Sequence, residues 1–370
     1  MELLNATPMQ VGYTMSMLPD GRELLVVVVK GTFTMPERGG QPDYTEPQKP
    51  LVEADIYTGE PGFSAPLHEL DYAPFKRHCD VLLIGSAYSP REKPAARVEV
   101  TLRLGPLLKS FAVTGDRFWE SGNIAIRPGY AGIFDRMPIS YDCAFGGIDD
   151  HHKNINKHSV FMKNPVGKGY HQELSRSFVN GTPMPNTEEL KRPVTMPNGT
   201  YTPMSFGPVG RSWVPRLQLA GTYDQNWRDN IFPLPPADFD SAYFQSAPVD
   251  QQIPYPQGGE RVFLENLTEK GHTGFTLPEI EVPVVFFYQM GKSIEKKAVI
   301  DTIVLEPDQG LLSMTWRTFV PLNKNILEIP QILIGRKSRG WWRARELGKA
   351  YYPSLEHMVR DRKRQSAIKD

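Results

Sequence analysis

Aspartates and two tryptophans share one short stretch of this chain, a grouping that could cleave a glycosidic bond. Asp224, Asp238 and Asp240 could supply the carboxylate pair such hydrolysis needs, with Trp213 and Trp227 as flat platforms for sugar rings. Aspartates among turn-forming residues more often cap turns, so that reading stands beside the enzymatic one. His151, His152 and His158 lie in HHKNINKHS beside Asp149-Asp150, a mixture of imidazole and carboxylate that suits transition metals. Lys153 and Lys157 in the same run would repel a cation, so a solvated loop is expected and no metal is assigned.

Other motifs fall short of chemistry. Asn164-Pro165-Val166-Gly167-Lys168-Gly169 resembles a phosphate loop but lacks the earlier glycine and the hydroxyl after Lys168. A tight turn is expected there. The adjacent glycines of Phe145-Gly146-Gly147 do not make a dinucleotide loop, which needs them spaced. Ser64 has no nucleophile elbow, because Pro66 stands where a glycine is required. Cys143 would need a histidine beside it, and a small buried thiol is the expected role. No catalytic set converges, and no cofactor is expected.

The elements that must position these residues read as strands. Leu24 to Met35 (LLVVVVKGTFTM) follows the turn signal Asp20-Gly21 and suits a strand buried on both faces at one end. Asp80 to Tyr88 reads as a second strand. Arg97 to Leu104 alternates, with Val98, Val100, Leu102 and Leu104 on one face, and Gly105-Pro106 turns it into Leu108 to Val113. Further strands are expected at Arg261 to Leu267, Pro283 to Gln289, Ala298 to Leu305 and Leu311 to Phe319. The last two form a hairpin closed by Glu306 to Gly310. Ile326 to Gly335 is apolar but broken by Pro330, and Ser354 can cap a short helix ahead of a tail with Arg360, Arg362, Lys363 and Arg364.

These elements predict a mainly β protein: β-sandwich-like sheets, long ordered loops and a short C-terminal helix. An α+β arrangement would follow if Trp341 to Tyr352 joined that helix. Three segments are expected: an N-terminal β region over 1–150, a loop-rich β region over 151–320, and a C-terminal segment over 321–370.

Between Phe206 and Gln252 the chain has neither helical nor strand period. Pro208, Pro215, Pro233, Pro235, Pro236 and Pro248 stiffen it. Phe206, Trp213, Tyr223, Trp227, Phe232, Phe239, Tyr243 and Phe244 give it apolar mass that a disordered linker lacks. An ordered wall laid over a scaffold is expected, and ordered loops of this length tend to be functional.

Composition narrows the function classes. The 370 residues include 42 basic and 42 acidic side chains, a balance with no general pull toward nucleic acid or anionic membrane. The 34 prolines and 11% aromatics favour loop-rich β structure. Leu24 to Val29, the longest aliphatic run, is far too short to cross a bilayer, and MELLNATPMQ lacks the features of a signal peptide. Two cysteines make no disulfide framework, so a cytoplasmic protein with reduced thiols is expected.

Several longer motifs carry a resemblance. They include Gly59-Glu60-Pro61-Gly62-Phe63-Ser64-Ala65-Pro66, Cys79-Asp80-Val81-Leu82-Leu83 and the run from Lys109 to Arg117. Met137 to Asp142, Ala144 to Gly147, Asn164 to Gly169, Arg211-Ser212-Trp213, Pro215-Arg216, Ala220 to Asp224, Asp238-Phe239-Asp240 and Tyr243-Phe244-Gln245 continue the pattern. On these motifs the chain resembles a bacterial domain-of-unknown-function family encoded beside type VI secretion genes and regarded as effector chaperones or adaptors. Cys143 stands where an arginine is usual. The resemblance implies a non-enzymatic protein that holds a toxic effector and helps mount it on the secretion spike, near a PAAR-like tip protein or the valine-glycine repeat spike protein. It carries over no catalytic residue. Trp213, Arg216, Tyr223, Trp227, Asp238 and Asp240 are the expected recognition surface, with Trp341 and Trp342 a second candidate contact.

Overall fold

The strand Glu23–Thr34 lies inside the largest sheet, between Leu311–Pro321 and the edge strand Gln10–Met17, and is covered on both faces, which is why its sequence is apolar without alternation. Leu25, Val27, Val29 and Phe33 face the main core. Leu24, Val26 and Val28, with Phe319 beside them on the neighbouring strand, pack against Leu18, Leu51 and Tyr72 on the other face. A strand covered on both faces has no position at which a polar side chain is preferred. The structure is a computed structural model and describes residues 1–360 apart from 19, 37–38, 91–92, 124 and 353.

Three sheets enclose the core, and the protein is mainly β. The seven-stranded sheet runs Gln252–Ile253, Cys79–Leu83, Val299–Glu306, Leu311–Pro321, Glu23–Thr34 and Gln10–Met17, with Asp43–Tyr44 also pairing to Glu23–Thr34. A five-stranded sheet runs Thr187–Glu188, Leu107–Thr114, Arg97–Leu104, Arg261–Glu265 and His272–Thr276. A four-stranded sheet runs Glu2–Asn5, Gln331–Ile334, Pro283–Phe287 and Ser293–Lys297. Their inner faces meet in one cluster, where Val100, Leu102 and Leu104 from the five-stranded sheet join Ile303 and Met314 from the large sheet and Phe286 from the small one.

Strands from residues 1–150 and 151–320 are interleaved in both larger sheets, and Gln331–Ile334 lies between Glu2–Asn5 and Pro283–Phe287. The three sequence segments therefore share the main core instead of closing separate ones. A smaller cluster of Trp119, Phe145, Tyr170, Val179, Met184, Val194 and Tyr201 supports the turn-rich lobe that follows.

Most expected strands are present with small shifts. The hairpin of Arg97–Leu104 with Leu107–Thr114 forms in full register. The hairpin after Glu306 closes through a 3-10 turn at Pro307–Gln309, and Gly310 takes the left-handed conformation (φ 66) that its exit needs. Asp80 to Tyr88 is a correction: it breaks into Cys79–Leu83 and Gly85–Tyr88, because the second piece leaves the large sheet to pair with Arg136–Ile139. At the C-terminus, Arg339–Glu346 is helical, and a separate turn of helix begins after Ser354. Ser354 Oγ accepts from the His357 amide at 3.3 Å. The two pieces do not merge, so the α+β alternative does not arise. Arg362, Lys363 and Arg364 lie outside the described residues. Among the described residues no helix is long and apolar enough to cross a membrane.

Candidate binding groove

The wall over Phe206 to Gln252 is ordered, and its two ends are anchored by different chemistry. Phe206 is fully buried, with its ring 4.6 Å from Phe111. Its carbonyl accepts from the Leu83 amide (3.1 Å) and from Gln251 Nε2 (2.9 Å). Asp80, fully buried on the large sheet, is the hub at the other end. Its carboxylate accepts from Lys76 Nζ (2.7 Å), Gln245 Nε2 (2.7 Å), the Ser246 amide (2.8 Å) and Ser246 Oγ (3.0 Å).

Arg211 and Arg216 fasten the middle. Arg216 donates to Glu69 (2.8 Å), to the Val209 carbonyl (2.9 Å) and to the Tyr243 carbonyl (2.7 Å). Arg211 pairs with Asp55 (2.9 Å) and Glu69 (2.5 Å). Burial raises the Asp55 pKa, but the Arg211 bond, the Leu70 amide and nearby guanidinium charge outweigh it and hold that pKa below its ordinary value. Trp213 packs edge-on against Tyr141 at 5.2 Å and is 4% exposed. Trp213 and Arg216 therefore face inward, a correction to their expected place on a recognition surface. Each has its partners within the fold.

The stretch from Tyr223 to Phe244 behaves differently. Asp224 caps the helix Gln225–Asn230 by accepting from the Trp227 amide (2.8 Å). That helix is short and buries no residue, so it holds its rings at the surface. Tyr223 and Trp227 meet edge to face at 4.7 Å, and Trp227 meets Phe232 at 5.6 Å. Trp227 Nε1 donates to the Leu234 carbonyl (2.9 Å), which fixes the indole without burying it. Phe239, Tyr243 and Phe244 form a second ring cluster that continues to Phe75.

Between these clusters lies a groove of about 510 Å³, lined by Phe75, Tyr223, Trp227, Pro233, Pro235, Phe239, Tyr243 and Phe244. Ser16 and Met17, at the end of the edge strand Gln10–Met17, complete its wall. Arg77 and Asp240 pair across 2.9 Å near its rim. The sequence placed Tyr223 and Trp227 here. It gave no sign that Phe75 and Met17, more than a hundred residues earlier, would join them.

The aspartates are committed to local structure. Asp238 accepts from the Thr222 amide (2.9 Å) and hydroxyl (2.7 Å), and these bonds lower its pKa. A glycosidase general acid needs a raised value. Asp240 caps the turn Ser241–Phe244 by accepting from the Ala242 amide (2.9 Å). Trp341 and Trp342 project from Arg339–Glu346 onto the outer face of the small sheet, around Val285, Phe287 and Leu333. Arg345 lies 3.7 Å over the Phe287 ring and helps seal them there.

The remaining motifs have structural reasons. Gly146 and Gly147 lie against the Asn164–Gly169 loop, and a Cβ at Gly146 (φ 154) would fall 2.1 Å from the Asn164 carbonyl oxygen. Asn164 Nδ2 donates to the carbonyls of Tyr141 (2.8 Å) and Phe145 (3.2 Å). The phosphate-loop look-alike is thus a tight turn locked onto its neighbour. Ser64 Oγ donates to the Glu60 carbonyl (2.8 Å) within a turn. Cys79 and Cys143 are free thiols, and burial pushes the Cys79 thiol well up. His158 bonds the His152 carbonyl, while His151 turns away from both and meets Asp149 and His171.

The fold thus defines a β scaffold that carries one long, ordered, ring-bearing insert. Residues 20–317 match the family described as an uncharacterized protein conserved in bacteria (DUF2169), and the chain belongs to that family. No curated protein and no solved structure matches it. The family description names no activity, partner or pathway.

Proposed function

We propose that this protein is a cytoplasmic, non-enzymatic chaperone or adaptor that holds a type VI secretion effector and helps load it onto the PAAR-bearing spike. The observation that carries the reading is the groove between Tyr223 and Phe244. Its rings are held in fixed positions by caps and an indole hydrogen bond, yet their faces remain open. Ordered aromatic surface of this kind binds a polypeptide at low entropic cost, because little side-chain freedom is left to lose. The edge strand Gln10–Met17 ends in the groove, so an extended segment of the effector can pair with its main chain while its apolar side chains enter between the rings. The link to secretion rests on the motif resemblance.

The test is co-expression with a type VI secretion toxin from the same genome, followed by pull-down and fractionation. The reading expects the toxin to be less soluble and less secreted when this protein is deleted. A toxin equally soluble and equally secreted without it overturns the reading.

A further inference from the structure

In the turn-rich lobe, three side chains from two separate segments converge. Asp149 ends the short bridge Ile148–Asp149, His151 follows two residues later, and His171 arrives from beyond Lys168–Gly169. One ligand-capable atom from each lies within 4.8 Å of the others.

The hydrogen bonds around them fix who holds which proton. The Thr182 hydroxyl gives its single hydrogen to the Val179 carbonyl (2.7 Å). Toward His171 Nε2, 3.0 Å away, it can therefore only accept. His171 Nε2 carries the hydrogen, which leaves a lone pair on Nδ1. That Nδ1 is buried without a partner, 3.9 Å from Asp149 Oδ1. A lone pair facing a carboxylate across such a gap repels it unless something positive lies between. Asp149 Oδ1 also contacts His151 Nδ1, and His151 Nε2 is buried without a partner. The other carboxylate oxygen, Oδ2, is occupied by the amides of Gln172 (2.8 Å) and Glu173 (3.2 Å), so Oδ1 is aimed at the histidines.

We propose that Asp149, His151 and His171 bind one divalent first-row transition cation, such as Zn²⁺. Two imidazoles and one carboxylate are ligands of the softness such ions favour over Mg²⁺ or Ca²⁺. Metal–ligand bonds of about 2.0–2.2 Å place neighbouring tetrahedral ligands roughly 3.3 Å apart. The present separations, up to 4.8 Å, reach that with side-chain shifts of roughly 1 Å. The Thr182 bond to His171 and the two amides on Asp149 are the outer-shell contacts that orient ligands in metal sites. Three protein ligands leave one position for water or for a partner's side chain. The ion ties the segment before Ser159–Val160 to the segment after Lys168–Gly169, in a lobe whose own core is small.

The test is calorimetric titration of the full chain, stripped with chelator, with zinc chloride. The expected result is about one Zn²⁺ per chain, a raised melting temperature with zinc, and the visible absorption of a tetrahedral site when Co²⁺ replaces it. His151→Ala and His171→Ala, checked for folding by circular dichroism, are expected to lose at least tenfold in zinc affinity and the cobalt spectrum. Should a variant misfold, stoichiometry, melting shift and cobalt spectrum of the wild-type chain decide the matter. Absence of stoichiometric zinc binding by the wild-type chain overturns the proposal. So does zinc binding of equal strength in the folded variants.

Discussion

The two halves of the long insert both carry aromatic rings and prolines, and they meet opposite fates. Around Phe206, Trp213 and Arg216, rings and charges are absorbed into the fold. From Tyr223 to Phe244, aromatic rings line a groove at the surface. The difference lies in what each segment meets. The first half runs past acidic residues displayed by the scaffold, Asp55 and Glu69, and past the apolar ring of Phe111. Arginine and aromatic side chains there find complete partners and disappear inside. The second half meets its own rings, Phe75, the end of an edge strand and one exposed arginine, Arg77. It satisfies its backbone through Asp224, Asp238 and Asp240 and leaves its ring faces open. Composition therefore marks an ordered wall, while the scaffold beneath decides which part is anchor and which part is surface.

Substitutions that break the anchored half carry the largest expected effects. Trp213→Ala removes a buried indole and is expected to cost about 3–5 kcal/mol in chemical denaturation; Arg216→Ala removes the donor to the Val209 and Tyr243 carbonyls while Arg211 still holds Glu69, and is expected to cost about 2–3 kcal/mol. A loss below about 1 kcal/mol would show that this half is not an anchor. Gly146→Ala comes next, because its Cβ would meet the Asn164 carbonyl in a backbone conformation that side chains rarely adopt. It is expected to destabilise by more than about 1 kcal/mol, read as a lowered melting temperature.

The Arg211–Asp55 pair sharpens the comparison through pH. The folded-state pKa of Asp55 lies below the ordinary 3.8. Its contribution is therefore present above that ordinary value and is lost as pH falls through the lower, folded one. Asp55→Asn is expected to flatten the acid limb of the stability–pH curve between roughly pH 5 and 2, with less change in slope near neutrality. An unchanged acid limb would mean the pair does not couple to folding. The smallest stability effect belongs to the open half. Tyr223, 56% exposed, should tolerate Tyr223→Ala within about 0.5–1 kcal/mol.

Local pattern carried much of the fold. Alternation placed Arg97–Leu104, and the β-branched run placed Glu23–Thr34, because burial on one face or on two leaves a direct mark on residue order. Pairings between distant segments leave no such mark. The parallel match of Cys79–Leu83 with Val299–Glu306 joins strands more than two hundred residues apart. The break before Gly85 was hidden for the same reason, since it follows from a partner at Arg136–Ile139. In the wall, aromatic content signalled order but could not tell Trp213, which turns inward, from Trp227, which does not. Among the histidines, the run from His151 to His158 drew attention to neighbours in sequence, whereas the fold brings in His171.

The affinity of the proposed effector client for this protein and for its Tyr223→Ala variant, measured on folded samples of each, tests most directly whether the open half grips a guest. The expected result is a Kd weakened about thirtyfold or more, the scale of a hot-spot aromatic worth about 2 kcal/mol, with the melting temperature nearly unchanged. An unchanged Kd in the variant, together with an unchanged Kd in Phe239→Ala, would contradict a binding groove at this place.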